Sequence, residues 1–409
     1  MWGKMNITDN SNINPCTSCQ LCGAVCTRQA IQIRLDAEGF YRPYVDSKLC
    51  NNCGLCTLVC YKYDSNIHTT TEQGLNDKPL LSAWAKSDDI LADTTSGGIG
   101  DILAKQLLAD GYKVVGVVYN EDKIRAEHKV AVNEDELNLF RGSKYIQSYT
   151  FDAFKEIIGN CRNNKYAVFG TPCQIFALNK LATQRKVREN FCFVDLYCHG
   201  CPTLYSWTKF QDEIKRKTKT RTFDKVTFRS KLRGWGSFNV VVEADGKRFS
   251  NGKYHDKFYE LFFCDQLLNE ACHDCQLRST LEYTDIRLGD FWGKKYLNNR
   301  RGVSAVSVST PRGKEAIEKI KSDISSMVCS YQEFLPWQSW GKSYHINSSI
   351  RKAVLESLCN PQEDINDAIK VLRRNESLSD NIIRIAKSTI SFLPPRIISF
   401  LKGVKYKIS

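Results

Sequence analysis

No stretch of this sequence approaches the ~20 consecutive apolar residues that a membrane-spanning helix requires. The first fifteen residues, MWGKMNITDNSNINP, contain no apolar run, which argues against a secretory leader. The expectation is a cytoplasmic protein, at most peripheral on the inner membrane surface. Histidine is scarce, with six in 409 residues. No glycine-rich Walker loop and no Ser/His/Asp arrangement is found, which leaves kinase and hydrolase chemistry without support. Acidic residues are outnumbered, 45 against 58 basic ones, for a formal net charge of +13. No nucleic-acid recognition motif accompanies that excess. The run Lys215-Arg216-Lys217-Thr218-Lys219-Thr220-Arg221 reads as a solvated loop, and no nucleic-acid partner is expected.

Cysteine is what the chain has in abundance, eighteen in all. Without export, that number favours metal ligation in a reducing compartment over disulfides. Cys16, Cys19, Cys22 and Cys26 read C-x2-C-x2-C-x3-C, and Cys50, Cys53, Cys56 and Cys60 repeat the spacing. This is the ligand pattern of a two-cluster bacterial ferredoxin, in which three close thiolates hold one 4Fe–4S cluster and the fourth reaches the other. Cys16, Cys19, Cys22 and Cys60 are assigned to the first cluster, and Cys50, Cys53, Cys56 and Cys26 to the second. A tetrahedral zinc site needs fewer thiolates at wider spacing. Thr27 and Tyr61 stand where the pattern usually has proline, a change that touches loop shape and not ligation. Thiolate-held clusters carry net negative charge and offset part of the basic excess.

The length implies two or three domains. Residues 1–14 read as a tail and 15–62 as the ferredoxin-like unit, with Ile31–Leu35 a strand between the cysteine copies. Residues 63–78 are polar and read as a linker. From 79 to 310 the pattern is mixed α/β: Ile99–Ala109 is helical, while Lys113–Tyr119 and Tyr166–Phe169 are apolar runs of buried-strand type. Val226–Phe228 and Phe238–Val242 are further strand candidates. Residues 311–409 read as helices. The fold class is therefore mixed α/β: a small α+β ferredoxin-like domain, then an α/β domain, then a helical C-terminal region.

Four more cysteines occupy ligand-like contexts. Cys173 follows a buried strand in Gly170-Thr171-Pro172-Cys173-Gln174, and Cys198 follows another in Cys198-His199-Gly200-Cys201. Cys272 and Cys275 form C-x2-C. Strand ends in an open α/β sheet are where sites collect. By spacing alone a third cluster, a zinc site and ordinary buried thiols all remain open, as does Cys201 in place of Cys198. Separately, Thr94-Thr95-Ser96-Gly97-Gly98 opens a helix, and free N–H groups at a helix start suit phosphate. A plain flexible cap is the alternative.

The order TSGG at 95–98, GSKY at 142–145, GTPCQ at 170–174, CHG at 198–200, FRSKLRGW at 228–235 and LGDFW at 288–292 resembles the coenzyme F420 hydrogenase/dehydrogenase beta-subunit family. The resemblance covers two successive modules, residues 79–152 and 153–310. It implies a flavoprotein with a third 4Fe–4S cluster, for which Cys173, Cys198, Cys272 and Cys275 are the preferred ligands and Cys201 the alternative. It makes Ser96, Gly97 and Gly98 candidate FAD contacts, with Gly142, Ser143 and Lys144 a second loop near the cofactor. Asp290 is placed beside the site, with Trp292 either lining it or in the core. His199 and His273, next to candidate ligands, are candidate proton donors. The implied activity is an oxidoreductase moving electrons between clusters and an organic small-molecule substrate through FAD, with reduced ferredoxin or another redox protein as partner. Two other readings stand beside it: an electron-transfer subunit feeding a separate catalytic partner, and a metal-binding regulatory or structural protein without flavin. Apolar residues at helical spacing from Ile382 to Leu401, interleaved with Arg384, Lys387 and Arg396, suit either a helix on an anionic membrane or partner surface or one packed on the main domain.

Overall fold

A computed structural model describes residues 5–9, 14–250, 256–296, 298–375 and 382. The Ile382–Leu401 stretch, Ile382 apart, lies outside the described residues. Near the N-terminus, β1 (Ile31–Leu35) and β2 (Tyr41–Val45) form an antiparallel hairpin. Its inner residues Ile31, Phe40 and Tyr41 are buried. The two cysteine-bearing loops flank this hairpin in sequence.

The main body is one mixed sheet. In chain order its strands are β3 (Leu80–Ala85), β4 (Lys113–Asn120), β5 (Arg125–Ala131), β6 (Ser148–Tyr149), β7 (Tyr166–Phe169) and β8 (Phe191–Leu196). After the short β9 (Lys225–Thr227), β10 (Val241–Ala244) and β11 (Lys247–Phe249) come β12 (Ile286–Asp290), β13 (Ser304–Val308) and β14 (Ile324–Val328). The sheet order is β14-β3-β13-β12-β8-β7-β4-β5-β6, and β11-β10-β9 form a separate three-stranded sheet. Strands β4, β7, β8 and β12 are mutually parallel neighbours. Their residues Val114, Val115, Ala167, Val168, Phe193, Val194 and Ile286 are all fully buried, as parallel strands covered on both faces must be. Helix Pro172–Gln184 connects β7 to β8; the carboxyl ends of these two strands deliver Cys173 and the Cys198–Cys201 loop, while Cys272 and Cys275 lie before β12.

The strand expected at Phe238–Val242 begins instead at Val241. Phe238 is taken up by an aromatic cluster, with the Arg229 guanidinium 4.4 Å above its ring. Beyond Pro311 the helices Pro311–Lys319, Ser348–Cys359 and Ile365–Arg374 are joined by β14, which pairs with β3 at the sheet edge. Its Met327 and Val328 are exposed, so the burial alternation that reveals a strand is missing there. The stretch 63–78 is also tied down. Thr70 N–H donates to the Ser279 carbonyl at 2.9 Å, and Leu281 N–H donates to Thr70 Oγ1 at 2.9 Å.

The N-terminal cysteine-bearing unit is fastened to the sheet rather than tethered. Gln20 Nε2 donates to the Ser148 carbonyl, and its Oε1 accepts from Thr150 and Phe151 N–H. Thr150 Oγ1 donates to the Cys19 carbonyl at 2.8 Å. Gln147 Nε2 donates to the carbonyls of Gly39 and Pro202. Gly39 has φ +79°, and a Cβ there would lie 2.6 Å from Thr203 Oγ1. Gly39→Ala is therefore expected to destabilise the docked unit by about 1–3 kcal/mol, read as a lower thermal midpoint. An unchanged midpoint would show that this approach is not required.

Candidate metal centres and cofactor loops

In the first cysteine loop, Ser18 and Gln20 adopt left-handed φ of 63° and 64°, turning the chain tightly between successive thiols. Cys16, Cys19, Cys22 and Cys60 line one cavity, with Ile7 and Ile33 also in its wall. This is the set assigned to the first cluster from spacing. Burial pushes the Cys19 thiol up to about 11. Burial, and then the other thiols nearby, raise Cys22 and Cys60 well above the ordinary thiol value. Thiols packed this way favour ionisation only when a cation shares the space. The donor set and its apolar wall thus fit a thiolate-held metal centre.

For the second set, Cys56 is buried in the same small apolar cluster as Cys22, with Cys26 and Cys60 packed against it. Burial pushes the Cys56 thiol up to about 11, and Cys53 lies close enough to add to the shift. Cys26 Sγ accepts from Ala30 N–H at 3.3 Å, and Cys50 Sγ lies 3.5 Å from Asn52 Oδ1. None of the eighteen cysteines is paired in a disulfide.

The inner group is built from three places. Cys173 sits in the first turn of helix Pro172–Gln184, whose start is fixed by Thr171 N–H donating to Gln174 Oε1 at 2.8 Å. Cys198 and Cys201 follow β8, and Cys272 and Cys275 precede β12. Gly200 lets the two loops close: a Cβ there would meet Leu268 at 2.8 Å and the Cys272 side chain at 3.4 Å. All five thiols are raised chiefly by burial, Cys198 to about 11 and Cys272 to about 12. Cys173, Cys198 and Cys272 all act electrostatically on Cys201, so the group keeps both Cys198 and Cys201. Cys19 in turn acts on Cys173, so the first outer set and the inner group are neighbours. Tyr61, directly after Cys60, packs between them. It is 2% exposed, its ring meets Phe176 edge-on at 6.0 Å, and Gln276 N–H donates to its hydroxyl at 3.4 Å.

Around this group lie charges that the sequence alone gave no means of placing. Arg278 is buried, and it donates to the carbonyls of His199, Cys272 and Lys342. Arg287 is buried too and pairs with Asp195 at 2.8 and 2.6 Å. The two histidines are held by partners. His199 Nε2 is 2.8 Å from Asp265 Oδ1 and its Nδ1 is 3.0 Å from the Tyr344 hydroxyl. His273 Nε2 is 3.3 Å from the Leu268 carbonyl. Burial, and then Arg351, lower its pKa, so the neutral ring is favoured.

The two candidate flavin loops are brought together: Ser143 N–H donates to Thr95 Oγ1 at 2.8 Å. Gly98, with φ +80°, caps helix Ile99–Ala109, while Gly142 has φ +79° and open space at its Cβ position. Some groups are already engaged. Gly97 N–H donates to Ser304 Oγ at 3.0 Å, and Ser96 Oγ to the Val303 carbonyl at 3.0 Å. Lys144 Nζ donates to the Phe140 and Arg141 carbonyls, and burial lowers it to about 7. The cations at the loop are Arg141, paired with Asp101 at 2.8 Å, and Lys231, which donates to the Ser96 and Leu91 carbonyls at 2.6 Å. For a flavin, the fit is therefore to the loop junction and the helix start rather than to the Gly97 amide. Asp290 accepts from Trp235 Nε1 at 2.9 Å and pairs with buried Arg229. Trp292 stacks on Trp235, rings 4.6 Å apart. Arg229 Nε, buried, has no partner among the described residues.

Residues 80–155 match the N-terminal part, and residues 163–331 the C-terminal part, of the coenzyme F420 hydrogenase/dehydrogenase beta subunit. The chain belongs to that family. As a member of this oxidoreductase family it has all five inner cysteines and both candidate flavin loops within the matched residues, while Cys16–Cys60 precede them. A coenzyme F420 hydrogenase subunit beta from Methanococcus voltae is 25% identical over 262 residues, 60% of this chain and 81% of its own. A chain from the F420-reducing NiFe hydrogenase complex of Methanosarcina barkeri aligns over 77% of this chain and 96% of its own, at 19% identity and a TM-score of 0.47.

Proposed function

We propose that the protein is an iron–sulfur flavoprotein oxidoreductase that exchanges electrons between a one-electron redox protein and an organic two-electron partner. The observation that carries this is Tyr61, next to Cys60 of the outer set, packed in one apolar cluster with Cys173 and Cys275 of the inner group and held by Phe176 and Gln276. Cys16, Cys19, Cys22 and Cys60 would hold one 4Fe–4S cluster, and Cys26, Cys50, Cys53 and Cys56 a second. Cys173, Cys198, Cys272 and Cys275 would hold a third, with Cys201 able to replace Cys198. FAD would lie at the Thr95–Ser143 junction. When bound, the clusters supply one-electron transfer and the flavin couples it to two-electron chemistry.

The chain's own residues position and shield. Gln20 and Gln147 fix the outer unit on the sheet, so the thiol sets keep their spacing. Phe176, Leu277 and Tyr61 form an apolar layer against Cys173 and Cys275, which keeps water from that side. The Asp265–His199–Tyr344 chain holds the imidazole in one orientation and offers a proton route at Nε2 and Nδ1. Because the matched relative is named as a hydrogenase subunit, partner subunits are part of this reading, with reduced ferredoxin as the alternative donor. Anaerobic purification tests it: about twelve iron and twelve sulfide per chain, with a flavin absorbance band that bleaches on reduction. Zinc without a flavin spectrum would overturn it in favour of a metal-binding regulator.

A further inference from the structure

Arg278 is 3% exposed and lies where the inner cysteine loops meet. Its guanidinium donates to the carbonyls of His199 at 2.7 Å, Cys272 at 2.6 Å, Lys342 at 2.8 Å and Cys198 at 3.4 Å. Its charge also sits over the Tyr344 ring, 4.5 Å from the centroid. Every one of these partners is a neutral dipole. Among the described residues no carboxylate stands within ion-pair distance of it, whereas the neighbouring Arg287 is matched by Asp195 through two bonds of 2.8 and 2.6 Å. A cation buried without a counter-charge is strongly unfavourable. Carbonyl dipoles solvate it but bring no net charge. The loops it braces carry the thiols of Cys198 and Cys272, which can supply that negative charge.

We infer that Arg278 is the fixed counter-charge of the inner thiolate centre and holds its reduction potential up. Reduction adds one negative charge to such a centre, so a cation at its edge favours the reduced form, as net charge and outer hydrogen bonding do generally. Arginine suits the task because it stays charged at every working pH, and its planar fork reaches several carbonyls at once. Arg278 is thus a positioning residue with an electrostatic effect, not a catalytic one. The inference rests on the iron–sulfur reading above, and its test separates the two.

Arg278→Lys and Arg278→Gln are prepared anaerobically in the full chain. Each centre is titrated by electron paramagnetic resonance, with the outer two as internal reference and iron counted per chain. Both variants lose the fork, but only Gln loses the charge. At the wild-type midpoint potential of the inner centre, Arg278→Gln is expected to cut its reduced-to-oxidised ratio about tenfold, a shift of about 59 mV for one electron. Arg278→Lys is expected to stay within about twofold, and the outer centres not to move in either. Inner iron lost in Gln and kept in Lys supports the same conclusion. Equal shifts in both variants, no shift in Gln, inner iron lost in both, or inner iron lost in Lys alone would overturn it. Absence of any inner centre in the wild type would instead overturn the underlying functional reading.

Discussion

Cys173→Ala is expected to abolish the inner centre and substrate turnover while both outer centres stay visible by electron paramagnetic resonance. On the proposed reading iron per chain should fall by about a third, since one of three four-iron sites would be lost. The size of the effect follows from where Cys173 stands. It comes from the end of β7, alone, while the other inner thiols come from the 198–201 and 272–275 loops. It is also the inner thiol on which Cys19 acts. The four remaining thiols belong to the two loops that Arg278 braces, and the side towards Cys19 is left without sulfur. The mutation removes only the sulfur atom and leaves Cβ in place, so little space opens and the fold should persist. Unchanged iron and turnover would remove Cys173 from the ligand set.

The grouping of the outer thiols was legible because it is written at short range. Cys16 to Cys26 and Cys50 to Cys60 carry the spacing itself, and the cavity gathers Cys60 with Cys16, Cys19 and Cys22 as that spacing requires. The β7 and β4 strands were legible for a similar reason: a buried parallel strand is a continuous apolar run. The inner group is different. Its five cysteines come from three loops separated by the β9–β11 sheet and several helices, so only a resemblance to known sequences could join them. Cys201 and Cys198 both reach the group because Gly200 allows close packing on Cys272, which spacing does not report. The charges were legible least. Arg278, Arg287, Arg229 and Arg141 look like any surface arginine in the sequence, and only the packing shows three of them buried. Lys144, a natural candidate for neutralising a phosphate, is turned onto backbone carbonyls within its own loop. The edge strand β14 was hidden because Ser325–Val328 is largely solvent-exposed and shows no alternation.

Asp195→Ala is expected to destabilise the protein by about 3–5 kcal/mol, because it leaves the Arg287 charge buried and unmatched. Asp195 is 1% exposed and Arg287 2%. They sit side by side on the adjacent parallel strands β8 and β12. Burial holds the Asp195 carboxyl above its usual range, opposed by Arg287, so each member is tolerated only because of the other. The thermal midpoint should drop on the order of 10 °C. Removing both charges in Asp195→Leu/Arg287→Leu should recover most of that loss, since a buried pair replaced by packed apolar groups is often neutral or better. The excess recovery over Asp195→Leu and Arg287→Leu made singly measures the coupling. The consequence also reaches the inner thiols. Arg287 Nη1 donates to the Arg278 carbonyl at 3.3 Å, and Tyr197 N–H, one residue before Cys198, donates to the Leu288 carbonyl at 2.8 Å. Disordering this pair loosens the base on which both inner loops stand. Asp195→Ala should therefore lose inner iron at temperatures where the outer centres are still retained. A variant that melts like the wild type, or loses all its iron at once, would show that the pair neither holds the sheet nor supports the inner loops.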